Sequence, residues 1–73
     1  KVTHEFEIQK DEEIRIELDG SFNNPQIVDP DNRDILGTQI IIENDITLTA
    51  TAGQTGTYEI ILVGDGSYEI YIN

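Results

Sequence analysis

Apolar and polar residues take turns along most of this chain, and that two-residue period limits the possible folds more than any other feature. Val2, His4, Phe6 and Ile8 alternate with Thr3, Glu5, Glu7 and Gln9, while Ile14, Ile16 and Leu18 alternate with Glu13, Arg15, Glu17 and Asp19. Successive side chains of a strand point to opposite faces, so a period of two buries one face and wets the other. The pattern returns at the end of the chain, where residues 56–73 read GTYEIILVGDGSYEIYIN, two alternating runs on either side of Gly-Asp-Gly-Ser. No stretch carries the 3.6-residue period of an amphipathic helix.

The first two strands are expected at 2–9 and 13–19, followed by a loop, Asp19-Gly20-Ser21-Phe22-Asn23-Asn24-Pro25, with Phe22 as its one apolar plug. Short strands then fall at about 26–28 and 34–36, around the turn Asp29-Pro30-Asp31-Asn32-Arg33. Two more lie near 39–43 and 46–52, split by Asn44-Asp45, and the tail is read as a hairpin of two. About eight short strands with frequent turns predict a single all-β domain over 1–73, a small antiparallel β-sandwich with a jelly-roll-like order. Thirteen isoleucines and seven threonines suit a pleated surface, because β-branched side chains pack well there.

Apolar matching suggests a register. Pairing the first two strands with Ile8 opposite Ile14 and Phe6 opposite Ile16 sets His4 against Leu18 inside, Glu7 against Arg15 outside, and Glu5 against Glu17. In the tail, an odd loop puts Ile60 opposite Ile72 and Leu62 opposite Ile70, leaving Ile61 opposite Tyr71 on the outer face with Val63 beside them. The expected inner face is Phe6, Ile8, Ile14, Ile16, Leu18, Tyr58, Ile60, Leu62, Ile70 and Ile72.

This order of features resembles the bacterial pre-peptidase C-terminal (PPC) domain. The opening strand pair is seen in HEFEIQKDEEIRIELDG, the strand ending in an Asp-Pro turn in QIVDPDNRDIL, and the closing strands in GTYEIILVG and GSYEIYI. The chain is shorter than is usual for that family, and Asn23-Asn24-Pro25 stands where the family has an acid-rich stretch. The resemblance implies a jelly-roll-like accessory domain, non-catalytic and exported, that assists binding, targeting or processing.

Size and charge narrow the partners. A chain of 73 residues buries only about 60% of the surface its unfolded form exposes, so its core is thin. Disulfides cannot reinforce it, since there is no cysteine. Fifteen acids against four bases give a net charge of −11, and from Gly37 to Asn73 five acids meet no base. Nucleic acid and anionic membrane surfaces both require clustered Lys and Arg, so neither is an expected partner. The longest apolar runs, 40–42 and 60–63, are strand-sized, and neither a signal peptide nor a membrane insertion is read from them. A first residue of Lys1 rather than Met suggests a processed or excised piece.

Catalysis is not expected. His4 is the only histidine and sits on the inward face of the first strand, where a structural role outweighs membership of a Ser-His-Asp group. The run 29–34, DPDNRD, spaces Asp29 and Asp31 like the first two ligands of an EF-hand loop. Asp34 then stands where that loop needs glycine, Arg33 fills its fifth position and Ile40 its twelfth, so a tight turn competes with an irregular calcium site at Asp29, Asp31 and Asp34. Glu5 with Glu17 is a second candidate for a cation site. No cofactor is expected apart from calcium. Ile61, Val63 and Tyr71 form the expected binding patch, for a protein or saccharide ligand. Three readings remain open: an exported accessory or binding domain, a structural subunit that self-associates through its strand edges, and a calcium-binding adhesion module.

Overall fold

The computed structural model describes every residue from Lys1 to Asn73 except Leu36 and Asn44, and every other side chain except that of Thr38. The described residues form no helix. They contain five strands: β1 (Val2–Ile8), β2 (Glu13–Val28), β3 (Thr38–Ile42), β4 (Asp45–Thr51) and β5 (Gly56–Ile72). All five lie in one antiparallel sheet, in the order β1-β5-β2-β4-β3.

Five strands stand where about eight short ones were expected, and the glycines explain the difference. The tail is not a hairpin. Gly56–Ile72 is one strand that passes through Gly64-Asp65-Gly66 and pairs along β2, from Ile72 opposite Ile14 to Glu59 opposite Val28. Likewise β2 runs through the expected loop at 19–25. Gly20, Gly64 and Gly66 have φ of 135°, 140° and 143°, a region closed to most L-residues. At this point the two backbones almost touch. A Cβ on Gly20 would lie 2.5 Å from the Asp65 carbonyl oxygen, and one on Gly64 would overlap the Ser21 carbonyl and the Phe22 Cα. The expected strands at 13–19 and 26–28 are therefore the two arms of β2, and those in the tail are the two arms of β5.

The long strands must bend there. Seventeen residues at about 3.3 Å each would span roughly 50 Å if straight, whereas the longest dimension of the molecule is 33 Å. Bending lets the sheet cover its own apolar face. Even-numbered residues of β5 all point to that face, and Tyr58, Ile60 and Leu62 of one arm are buried together with Ile14, Ile16 and Leu18 of β2 and Leu48 and Ala50 of β4. His4 on β1 reaches Tyr68 on the far arm of β5, its Nε2 lying 2.7 Å from the tyrosine hydroxyl.

The first expected register is also corrected. β1 pairs with β5 rather than with β2, so Ile8 faces Gly56, Phe6 faces Tyr58 and His4 faces Ile60. Apolar alternation fixes which face a strand buries but not which partner it takes, and β5 offers the same alternation over a longer run. The expected inner face nevertheless survives the exchange, because both registers keep the even-numbered residues of β1 inside. Phe6, Ile70 and Ile72 are partly buried against the core, and the rest of the expected set is buried.

A bulge adds Ile27. Asn23 pairs with Val63 but Gln26 with Ile61, so β2 carries one extra residue around Asn24-Pro25, where Asn24 takes φ of 47°. One inserted residue reverses the parity of every later position in the strand. Phe22 and Ile27 thus share the inner face, although one position is even and the other odd. Beyond the bulge, Asp34 bridges to Val28 and the Ile35 amide donates to the Ile27 carbonyl at 2.8 Å. Of the short strand expected at 34–36, Leu36 lies outside the described residues.

Alanine at Gly64 forces both a disfavoured φ and a backbone collision, so G64A should lower stability by at least about 2 kcal/mol. Gly53 has open space where a Cβ would go, and G53A should stay within about 0.5 kcal/mol of the parent in the same urea denaturation series. Equal midpoints for the two variants would refute the bend.

Candidate binding surface

The turn at 29–34 is held by its own first residue. Asp29 is 7% exposed, and its Oδ1 accepts from the backbone amides of Asp31 (3.0 Å) and Arg33 (2.8 Å). Its Oδ2 accepts from Arg33 Nε at 3.3 Å, while the Arg33 carbonyl accepts from the Asp29 amide at 2.8 Å. Asp31 turns outward, its Oδ2 accepting from Arg33 Nη2 at 3.3 Å and from Gln54 Nε2 at 2.9 Å. This is an Asx-type turn closed by an arginine. Among the described residues no group of three or more His, Asp or Glu side chains is arranged to hold a metal.

The carboxylates expected to face one another do meet like charges, but different ones. Glu5 lies opposite Glu59, Glu17 opposite Glu69, and Asp19 opposite Asp45. Such pairs destabilise a ladder by a few tenths of a kcal/mol or more. Arg15 eases the second: its Nε sits 3.4 Å from Glu17 Oε2 and its guanidinium lies over the Tyr71 ring, 4.6 Å from the centroid. Half-exposed ion pairs of this kind add little to stability. The Tyr71 hydroxyl donates to Glu69 Oε2 at 2.6 Å. That hydrogen bond to a carboxylate holds the phenol above its ordinary pKa, with desolvation and the charges of Glu69 and Glu17 adding to the rise and Arg15 opposing it.

The expected patch of Ile61, Val63 and Tyr71 is not brought together. Ile61 lies opposite Thr3 and Gln26, and Val63 opposite Asn23, on one arm of β5, whereas Tyr71 pairs with Arg15 on the other arm, beyond the bend. Their pairing depended on the hairpin that the continuous strand replaces. Val63 remains 41% exposed by itself. His4 is on the inner face as expected, paired with Ile60 instead of Leu18 and in ring contact with Phe6 and Tyr68.

The strand order ends in β1 and β3, and these two edge strands differ. β1 carries Glu5 and Glu7 within seven residues, the charged edge that discourages further strand pairing. β3 reads TQIII and carries no charge. Its isoleucines are the most exposed large apolar side chains described: Ile40 at 52%, Ile41 at 59% and Ile42 at 66%. Gln39 and Ile41 lie opposite Leu48 and Ile46 and share the inner side, while Ile40 and Ile42 lie opposite Thr47 and Asp45 on the outer side. Beside β3 on the inner side runs a groove whose lining includes Phe22, Pro25, Asp34, Gln39, Ile41 and Ile46. A signal for this edge exists in the sequence. Three consecutive isoleucines break the two-residue period, so at least one must face outward, and no neighbouring charge within the strand offsets the exposure.

No protein-family model, curated protein or solved structure matches the chain. Among the described residues no helix is long and apolar enough to cross a membrane.

Because the Asp29 carboxylate is already engaged, calcium at millimolar concentration should raise the melting temperature no more than sodium chloride of equal ionic strength. A calcium-specific rise that disappears in Asp31→Asn would show that the turn binds the ion, since a ligand of the folded state stabilises it by mass action. For Tyr71, a pKa raised on folding adds stability that is complete below about pH 10 and is lost as the pH climbs through the raised value. In an NMR-detected titration Tyr71 should ionise above the ordinary range, and Glu69→Gln should bring it down.

Proposed function

We propose that this chain is a non-catalytic binding module that captures an extended protein segment along the open edge of β3. One observation carries the reading: an uncharged edge strand, Thr38–Ile42, with three exposed isoleucines, on a chain of net charge −11 whose opposite outermost strand, β1, bears glutamates. An edge strand offers a row of unpaired amides and carbonyls, and an added strand gains affinity from those hydrogen bonds and specificity from alternate side chains. Here the alternate side chains of an occupant would meet Ile41 and the Phe22–Pro25 groove on one side, and Ile40 and Ile42 on the other. A saccharide finds less, because one face of the Tyr71 ring is already covered by Arg15.

The finer fold reading belongs to the same proposal. Taking each arm of the bent ribbon as a strand, β1 and the first arm of β5 with the second arm of β2 form one layer, and the remaining arms with β4 and β3 form the other. That is a small jelly-roll-like sandwich of the kind that serves as an accessory domain. Supporting it, the Tyr58 hydroxyl donates to the Gln54 carbonyl at 2.6 Å, four residues upstream. Tyrosines that bond back to the chain just before a strand tie corners in Greek-key sandwiches. The exported setting and the accessory role are carried by the likeness of HEFEIQKDEEIRIELDG, QIVDPDNRDIL and the closing tyrosine strands to pre-peptidase C-terminal domains.

Selection of short peptides from a displayed random library tests the edge. Binders should be uncharged and alternating in pattern, should shift the amide resonances of 38–42 above all others, and should lose binding to Ile41→Lys. Binders that map to the outer face around Tyr71, or that survive Ile41→Lys, would refute the edge as the binding surface.

A further inference from the structure

We infer that the occupant of the β3 edge is a second copy of this chain, paired antiparallel about a two-fold axis through Ile41; the inference rests on the edge reading above. The strand TQIII is self-complementary in one register. Centred on Ile41, an antiparallel pair sets Ile41 against itself and Ile40 against Ile42 of the second copy, so every isoleucine meets an isoleucine. Glu43, with φ of 55°, lies beyond the end of the strand. Centred on Ile40, the pair would instead set Gln39 against Ile41. Directly opposed residues share a face, so the two inner faces stay on the same side and the two sheets become one continuous sheet.

Apolar matching selects this occupant over a basic one. The strand 38–42 itself carries no carboxylate, its nearest acids Asp34 and Asp45 lying beside it, and its three exposed isoleucines are met best by apolar side chains. Two copies carrying −11 each repel at long range, yet over an uncharged edge that repulsion is screened within about 10 Å at 0.1 M salt while apolar contact and backbone hydrogen bonds remain. β1 is less suited, because Glu5 and Glu7 place two carboxylates on that edge. A five-residue edge is small beside a standard interface, so the pair belongs to the weak class below about 1,200 Å². The isologous arrangement closes on itself and gives a dimer rather than a fibre.

Sedimentation velocity from micromolar to millimolar protein, at low and high sodium chloride, tests the inference. The expected result is a monomer–dimer equilibrium that tightens several-fold with salt, disappears in Ile41→Lys and persists in Glu5→Lys. Ile41 is 59% exposed, so an unchanged melting temperature will confirm that its variant stays folded. The chain has no cysteine, and Ile41→Cys should oxidise to a disulfide-linked dimer faster than Ile40→Cys or Ile42→Cys. Faster oxidation of either neighbour would overturn the register. A dimer that weakens with salt or survives Ile41→Lys would overturn the inference. So would a monomer under all conditions; if display-selected peptides still map to 38–42, the edge reading stands without the second copy, and if none do, both fall.

Discussion

Everything in this small fold depends on how closely the backbones of β2 and β5 approach at Gly20, Gly64 and Gly66. A thin core of isoleucines can be shielded from water only if the sheet covers itself, and a sheet can fold over only where its strands can bend. Side chains prevent that at most positions. At these three a Cβ would strike the opposing strand, and the φ values are ones only glycine takes readily. The ribbon therefore bends across its middle, and Ile14 to Leu18 of one arm and Tyr58 to Leu62 of the other end in one buried cluster. The His4 to Tyr68 contact, between a strand at one edge and the far arm of β5, depends on the same bend.

The bend also decides where the sheet is left open. Each long strand supplies two arms, and only part of each strand is paired on both sides, 14–19 of β2 between β5 and β4 and 59–61 of β5 between β1 and β2, while the outermost strands of the order are the short β1 and β3. Short edges are one way of limiting unwanted pairing, and charge is another. β1 uses both. β3 uses only its length, and its exposed isoleucines point to both sides of the sheet. The difference between the edges, more than either edge alone, gives the molecule a direction for binding.

Much of this was legible in the residues, and the part that was not has a physical cause. The two-residue period gave the all-β class and the inner face, because both derive from the alternation of single strands. Strand partners did not, since Phe6 and Ile8 match Tyr58 and Ile60 as well as they match Ile14 and Ile16. Gly-Asp-Gly-Ser suggested a turn by composition. In the folded chain the glycines instead allow close crossing of two continuous strands, a property that shows only when Gly20 is seen opposite Gly66. Losing the hairpin separated Ile61 from Tyr71, and the expected patch went with it. Ile27 was hidden by the bulge at Asn24-Pro25, which reverses parity without any change in the pattern of the residues around it. The Asp29 turn was readable from DPDNRD alone, because Asp beside Pro with Asn three positions on is what such a turn requires.

Acidic charge on this molecule is arranged where it costs stability, and the edge of β3 gives that a rationale. Glu5 opposite Glu59, Glu17 opposite Glu69 and Asp19 opposite Asp45 place like charges across three ladders, one of them eased by Arg15. None of these pairs lies on β3. The repulsion that they and the remaining acids create acts on every approach of a second copy, but along 38–42 the strand itself adds no charge to it. Self-repulsion over the rest of the surface thus disfavours wrong pairings more than the right one. Specificity of this kind is a difference between affinities, and it can be built as well by opposing the alternatives as by strengthening the intended contact. For a five-residue strand that can bury only a modest area, opposing the alternatives is the larger lever.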